Sequence, residues 1–146
     1  MIILNWNTRG LRDLDKRANV RDFIYLFGFD LVVLQETKFC SPTFFTLYSN
    51  GGSRINECVI LNPIGASGGQ LIGWNGKVFN KISRLSTRFS ISVKFKERAT
   101  QSKKRLHNPL FVSFSYIGQM IYLSSLFPYM TFILLMFGVR WSFGPG

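Results

Sequence analysis

The sequence is poor in acidic residues and in cysteines. Its 146 residues include seven Asp and Glu against eighteen Lys and Arg, which gives a formal net charge of +11. The two cysteines, Cys40 and Cys58, have no paired or C-x-x-C spacing, which excludes a disulfide framework and a zinc knuckle. We therefore expect small buried thiols in an intracellular protein. The charge favours a polyanionic partner, either nucleic acid or an anionic membrane surface.

Carboxylates are concentrated in the first third of the chain. No aspartate follows Asp30, and Glu97 is the one acidic residue after Glu57. Metal-dependent catalysis usually needs several carboxylates that converge on one spot, so any metal site is expected to be poor in ligands. With 47% apolar and 16% aromatic residues, the chain can still bury the core of one domain.

The first 35 residues predict a βαβ unit. The apolar run Met1–Leu4 is too short for a signal peptide and is typical of a buried strand that opens into a loop. A second apolar run, Leu31–Leu34, predicts a strand covered on both faces, as in a parallel sheet. Between them, Asp13 and Asp15 stand at cap positions and Gly28 at a helix end. The helix has one apolar stripe, formed by Val20, Phe23, Ile24 and Phe27.

Asn7 and Glu36 follow the two predicted parallel strands. In open α/β sheets, ligands bind at the carboxyl ends of the strands, so both side chains should face one crevice. Further strands are expected downstream, and the last two alternate apolar with polar residues as half-buried antiparallel strands do. These segments are 58–61, 68–74, 78–85 and 89–95.

Three segments carry a resemblance to a known family. Residues 2–11 read IILNWNTRGL, residues 30–38 read DLVVLQETK, and residues 67–75 read SGGQLIGWN. In this order they resemble the opening of the endonuclease/exonuclease/phosphatase superfamily. The member that they resemble most closely is the endonuclease domain at the head of plant LINE-type retrotransposon polyproteins.

The resemblance covers residues 1–95 and implies a DNase I-like α/β sandwich. It also implies a hydrolase that cuts DNA phosphodiesters with Mg²⁺ or Mn²⁺, and a nuclear location for a retroelement endonuclease. By resemblance, Asn7 positions the phosphate and the nucleophile, and Glu36 is a metal ligand. A hard divalent ion prefers carboxylate oxygen, and a neutral amide can hold a phosphoryl oxygen without competing for that ion.

The sequence departs from the family pattern after residue 95. Members of the family add a catalytic tyrosine, an Asp-x-Asn pair and a final Asp-His, and neither of the two Asp-containing elements is present here. The single histidine, His107, is interpreted as a surface residue beside a basic run. We therefore expect a truncated copy with an incomplete second sheet, a weakly held metal and no nuclease turnover.

Other residues near the motifs are assigned structural roles. Gln35 and Lys38 are expected on a solvated surface, and Trp6 and Trp74 are expected to pack in the core. Gly68 and Gly69 lack the context of a phosphate-binding loop and are expected to allow close strand approach.

The last third of the chain divides into a basic linker and an apolar tail. The linker, residues 96–109, carries candidate nucleic-acid contacts at Lys103, Lys104 and Arg105. The tail, residues 110–146, is free of formal charge from 110 to 139. Within it, 120–139 is a candidate membrane span and 111–116 a candidate strand. Two further functions stay open, namely a basic nucleic-acid binder without chemistry and a protein tethered to a membrane through 120–139.

Overall fold

The computed structural model describes residues 2–38, 54–65 and 68–98. It also describes the backbone of three strands at 110–115, 121–123 and 131–135. The fold is mixed α/β, with one helix and two sheets in the described part of the chain.

The chain begins with the predicted βαβ unit. Strand β1 (Ile2–Asn7) and strand β2 (Leu31–Gln35) lie parallel, with Ile3 opposite Leu31 and Asn7 opposite Gln35. β1 extends beyond the predicted end at Leu4. Its polar residues are accommodated because the Oδ1 atom of Asn5 accepts a hydrogen bond of 2.8 Å from Nε2 of Gln35.

Helix α1 (Leu14–Phe27) is capped at both ends as the sequence predicts. Asp13 is the N-cap, and its side chain accepts a hydrogen bond of 2.9 Å from the N–H of Lys16. Gly28 adopts the left-handed conformation at φ 63° and ends the helix. Val20 and Ile24 of the predicted stripe are buried, whereas Phe27, the last helical residue, is 47% exposed.

The cap provides a test of the helix assignment. Asp13→Ala should lower the free energy of unfolding by about 1 kcal/mol, because it removes the partner of one N–H group in the first turn. The matched control is Asp22→Ala, which removes a carboxylate that pairs with the neighbouring exposed Arg21. Urea denaturation should show a clear loss for the first variant and almost none for the second. Equal losses would contradict the capping role.

The remaining strands build two sheets. The first has the order β3-β4-β2-β1-β9 and the second the order β5-β6-β7-β8. β1 is parallel to both of its neighbours, and all other pairs are antiparallel. The first sheet is therefore mixed, because β2 pairs with the antiparallel β4 on its other side. The strands not yet delimited are β3 (Glu57–Leu61), β4 (Gln70–Trp74), β5 (Phe79–Ser86), β6 (Ser90–Glu97), β7 (Leu110–Ser115), β8 (Ile121–Leu123) and β9 (Thr131–Leu135).

Apolar side chains cover both faces of the first sheet. One cluster lies between the two sheets and contains Val33 of β2 and Phe95 of β6. The other lies between the first sheet and α1 and contains Val32 and Ile24. β2 is buried along its whole length, as its continuous apolar run predicts.

The two predicted amphipathic strands differ in burial. In β6, Ile91, Val93 and Phe95 are buried as the alternation predicts, but Ser92 between them is buried as well. In β5 only Phe79 is buried, so the prediction of a half-buried strand is wrong there. β5 is the edge strand of its sheet, and a bulge between Lys81 and Ser83 shifts the register. As a result, its apolar Ile82 is 52% exposed.

The apolar tail supplies strands to both sheets. β7 agrees with the candidate strand at 111–116, and its register places Val112 opposite the buried Val93 of β6. With β8, it extends the second sheet to four strands, beyond the two that residues 1–97 supply. The candidate membrane window 120–139 contains β8 and β9. Within the described ranges, no helix is long and apolar enough to cross a membrane.

Candidate functional site

Asn7 and Glu36 lie at neighbouring strand ends, as predicted, and a shared crevice for the two side chains stays a prediction. Asn7 is the last residue of β1, and Glu36 directly follows β2. Hydrogen bonds between the two loops continue beyond the sheet, from the N–H of Thr8 to the carbonyl of Gln35 (2.9 Å) and from the N–H of Gly10 to the carbonyl of Glu36 (2.6 Å). The βαβ topology thus brings both positions to the end of the first sheet at which β1 and β2 terminate.

The Asn7 side chain is buried and takes part in a local turn. It is 8% exposed, and its Oδ1 atom accepts a hydrogen bond of 3.1 Å from the N–H of Arg9. This contact fixes the amide against the loop that follows β1. Because Oδ1 accepts this backbone hydrogen bond, the NH₂ group is the donor that the amide has left to offer.

Backbone strain is concentrated in the two loops that follow β1 and β2. Arg9, Glu36 and Lys38 have φ between 50° and 51°, and in the described ranges they are the only residues other than glycine with positive φ. Each such conformation is costly for a residue with a Cβ atom, and strained residues cluster at functional sites. These loops are therefore the part of the described chain where the backbone is most constrained.

Three exposed cations lie in the same two loops as Glu36. We call Arg9, Arg12 and Lys38 the basic rim. A hydrogen bond of 3.2 Å from Nε of Arg12 to the carbonyl of Lys38 joins two members of the rim. The exposed Lys38 agrees with its predicted surface position. The sequence reasoning did not identify the rim as a charge cluster, although the adjacency of these cations to both family-like strand ends could have indicated it.

A row of buried amides crosses the sheet beside the rim. Asn7 lies opposite Gln35, and Gln35 lies opposite Gln70 of β4. The prediction that Gln35 lies on a solvated surface is wrong, since its side chain is 6% exposed. It belongs to the face that the second sheet covers, and it donates its hydrogen bond to Asn5.

Gly68 and Gly69 allow a close approach between chain segments, as predicted. The N–H groups of Thr37 and Lys38 donate to the carbonyls of Gly69 and Gly68 at 3.2 and 2.7 Å, respectively. A Cβ atom on Gly69 would lie 2.8 Å from Oγ1 of Thr37. Only glycine therefore fits between β4 and the loop that carries Glu36.

Both tryptophans near the motifs pack against aromatic side chains, in agreement with the sequence. Trp74 is 1% exposed, and its ring centroid lies 5.0 Å from that of Phe95. Trp6 lies 5.3 Å from Phe23 of α1. Trp74 is therefore buried too deeply to stack on bases, and Trp6 is partly buried against the core.

The ligand set for a divalent metal is sparse. In the described ranges, no group of three His, Cys, Asp or Glu residues could hold a metal ion. Asp30 lies at the opposite end of the sheet, where it accepts a hydrogen bond of 3.2 Å from the N–H of Ile2. Asp13 is engaged in the helix cap. Glu36 directly follows β2 at the strand end that neighbours Asn7. A single carboxylate with a neutral amide fits a Mg²⁺ or Mn²⁺ site poorly.

The remaining candidate residues lie away from the end of the sheet that carries Asn7 and Glu36, or outside the described residues. Cys58 of β3 is half-buried, and burial raises the pKa of its thiol, as expected for a packing cysteine. Lys103, Lys104, Arg105, His107 and Cys40 lie outside the described residues.

Neither a protein-family model nor a curated protein sequence matches this chain.

Proposed function

We propose that this protein binds DNA through the basic rim. We further propose that its site resembles that of a metal-dependent phosphodiesterase of the endonuclease/exonuclease/phosphatase superfamily, on a DNase I-like sandwich. The concentration of strained backbone at Arg9, Glu36 and Lys38 is the observation that carries the proposal. Strain at these positions is maintained only if the surrounding fold enforces it, and both loops border the motif residue Asn7.

The chemistry of the rim suits a phosphate backbone. Arg9, Arg12 and Lys38 are exposed. The same loops contain two carboxylates, Asp13, which accepts the capping hydrogen bond of α1, and Glu36. Guanidinium groups bind phosphate oxygens in a bidentate manner, and ammonium groups attract them as point charges. The net charge of +11 adds a long-range attraction for a polyanion.

We do not expect the 146-residue chain to cleave DNA by itself. Its sequence offers no aspartate after Asp30, so the family's Asp-x-Asn and Asp-His elements have no counterpart in it. Loss of a single group that stabilises the transition state commonly lowers turnover by a factor of about 100 to 1,000. Because several such catalytic groups are missing, the function that we propose for these residues is DNA binding without cleavage.

Salt-dependent DNA binding tests the rim. The slope of log affinity against log salt concentration should become less steep by roughly 2 to 3 when Arg9, Arg12 and Lys38 are all changed to Ala, because each phosphate contact contributes about 0.9. Fluorescence anisotropy with a labelled duplex would measure the slope. The matched control changes Arg21, Lys77 and Lys81 to Ala, which removes the same charge away from the rim.

The control variant should retain most of the wild-type slope. Lys77 belongs to the turn after β4, where the N–H of Asn75 bonds to the carbonyl of Asp30 at the opposite end of the sheet. Equal changes in slope for the two triple variants would show diffuse attraction by net charge and would remove the rim from the proposal.

A plasmid-nicking assay tests the expected absence of DNA cleavage. Supercoiled plasmid incubated with the protein and millimolar Mg²⁺ should show no nicking that depends on Glu36. The comparison is between the wild type and Glu36→Gln, which keeps the size of the side chain and removes its charge. Nicking by the wild type that Glu36→Gln abolishes would overturn the proposal of an inactive site.

A further inference from the structure

Most of strand β5 and the turn that joins it to β6 form one exposed surface. Every residue from 80 to 89 is exposed, although β5 pairs with β6 along its length. β5 is the edge strand of the second sheet, so a neighbouring strand covers only one of its sides. We call residues 80–89 the hairpin surface. None of them belongs to the basic rim.

The sequence of the hairpin surface repeats a basic residue followed by a large apolar residue. The three pairs are Lys81-Ile82, Arg84-Leu85 and Arg88-Phe89. No acidic residue occurs in the sequence between Glu57 and Glu97. The hairpin surface therefore carries three positive charges and no carboxylate of its own.

The apolar members of the three pairs are exposed to solvent. Ile82 is 52% exposed, Leu85 67% and Phe89 39%. Leu85 lies opposite Ser92, the residue before the core residue Val93, so its side chain points away from the first sheet. Single exposed apolar residues are common on protein surfaces, whereas a concentration of them marks an interaction site.

The cations of the hairpin surface lie beside these apolar side chains. Arg84 donates from Nη2 to the carbonyl of Ile60 on β3 at 2.9 Å and from Nε to the hydroxyl of Ser86 at 2.8 Å. These bonds fix β5 against the edge of the first sheet and leave the charge of Arg84 at the surface. At the turn, the guanidinium carbon of Arg88 lies 5.2 Å from the ring centroid of Phe89.

The geometry and charge of this edge do not suit another strand or a second copy of the chain. A bulge between Lys81 and Ser83 interrupts the register, and bulges and lysines are the features by which edge strands avoid pairing. A second copy would also bring like charges together. A nucleic-acid backbone could pair with the cations but would offer no apolar surface to Ile82 and Leu85. A bilayer with anionic headgroups offers both kinds of contact.

We propose that the hairpin surface binds the surface of a bilayer that contains anionic lipids. Ile82, Leu85 and Phe89 enter the boundary between the headgroups and the acyl chains, and the three cations pair with the headgroups. Binding of this kind depends on the apolar area that is buried and on the electrostatic attraction together. The site is separate from the proposed DNA contacts, because it uses no residue of the basic rim.

Vesicle co-sedimentation tests the apolar contribution. The wild type should bind phosphatidylcholine vesicles with roughly 30% phosphatidylserine at least about tenfold more tightly than vesicles of phosphatidylcholine alone. The variant with Ile82→Thr and Leu85→Thr keeps every charge and the tendency to form a strand. It should bind the mixed vesicles about tenfold more weakly, because less apolar area is buried. Leu85→Thr alone should weaken binding about threefold.

A second pair of variants tests the charge contribution. Lys81→Gln with Arg88→Gln should weaken binding to the mixed vesicles at least about tenfold, since each cation near an anionic surface contributes about fivefold. The matched control, Lys16→Gln with Arg21→Gln, removes two charges from α1, which packs on the opposite face of the first sheet. It should keep at least about half of the wild-type affinity. Far-UV circular dichroism would establish that each variant is folded.

Several outcomes would contradict the assignment. Absence of vesicle binding, binding that does not depend on phosphatidylserine, wild-type affinity in the Thr variants, or an equal loss in the α1 control would overturn it. A Thr variant that loses affinity for duplex DNA and keeps its affinity for vesicles would also overturn it and would assign the surface to nucleic acid. The salt slope of the variant with Arg9, Arg12 and Lys38 changed to Ala tests the proposed DNA binding separately.

Discussion

Phe95→Ala should lower the free energy of unfolding by about 3–5 kcal/mol, the usual loss for a buried phenylalanine. Phe95 is fully buried between the two sheets. Its ring lies 5.0 Å from that of Trp74 on the first sheet and 5.7 Å from that of Phe79 on the second. Truncation would leave a cavity at the point where the sheets meet, and the rigid neighbouring rings could close it only in part.

Phe89→Ala is the matched control for this prediction. It removes the same side chain from the turn before β6, where Phe89 is 39% exposed and contacts Arg88. We expect a loss of less than about 1 kcal/mol, because little apolar area returns to water. Chemical denaturation followed by tryptophan fluorescence would report both variants, since Trp74 contacts Phe95. Similar losses for the two variants would mean that the sheets do not share a packed core at Phe95.

Gly69→Ala should destabilise the protein by about 2–4 kcal/mol, through backbone strain and overpacking together. Gly69 has φ 69°, and a Cβ atom there would lie 2.8 Å from Oγ1 of Thr37 and 3.2 Å from Cδ of Pro63. Relief of the contact would push Thr37 away from β4. The displacement would reach the adjacent Glu36, so the strained loop at the site would also change.

Gly65→Ala separates the two contributions. Gly65 has nearly the same backbone conformation, with φ 61°, but a Cβ atom there would meet no atom of the described residues within 4 Å. Its substitution should therefore cost only the left-handed strain, about 1 kcal/mol. Thermal or urea denaturation would measure the difference between the variants. Equal costs would show that Thr37 and Pro63 move aside freely and that the close approach is not tightly enforced.

The elements that the sequence predicted correctly are those defined by local patterns. The limits of α1 follow from Asp13 and Gly28, whose preferences act within one helical turn. The buried strand β2 follows from its run of apolar residues, which no exposed strand would carry. The placement of Asn7 and Glu36 at one edge follows because successive parallel strands end on the same side of a sheet.

The features that the sequence did not predict depend on contacts between distant segments. Gln35 is buried because the second sheet covers its face of β2, and Ile82 is exposed because β5 forms a sheet edge with a bulge. The basic rim arises because Arg12 and Lys38, 26 residues apart, meet through a hydrogen bond from a side chain to a backbone carbonyl. The burial of Gln35 and the exposure of Ile82 leave no pattern in the local sequence, whereas the rim cations at least follow the two strand ends closely.

By itself, the sequence determined the charge of the protein, the βαβ unit and the two polar side chains at its strand ends, since periodicity and capping act over a few residues. Tertiary structure alone decided which strands form edges, which polar groups are buried and where the exposed cations of the rim gather. It also decided that the apolar tail adds strands to both sheets, with β9 beside β1. Such pairings depend on which backbone edges remain open after the rest of the chain has folded.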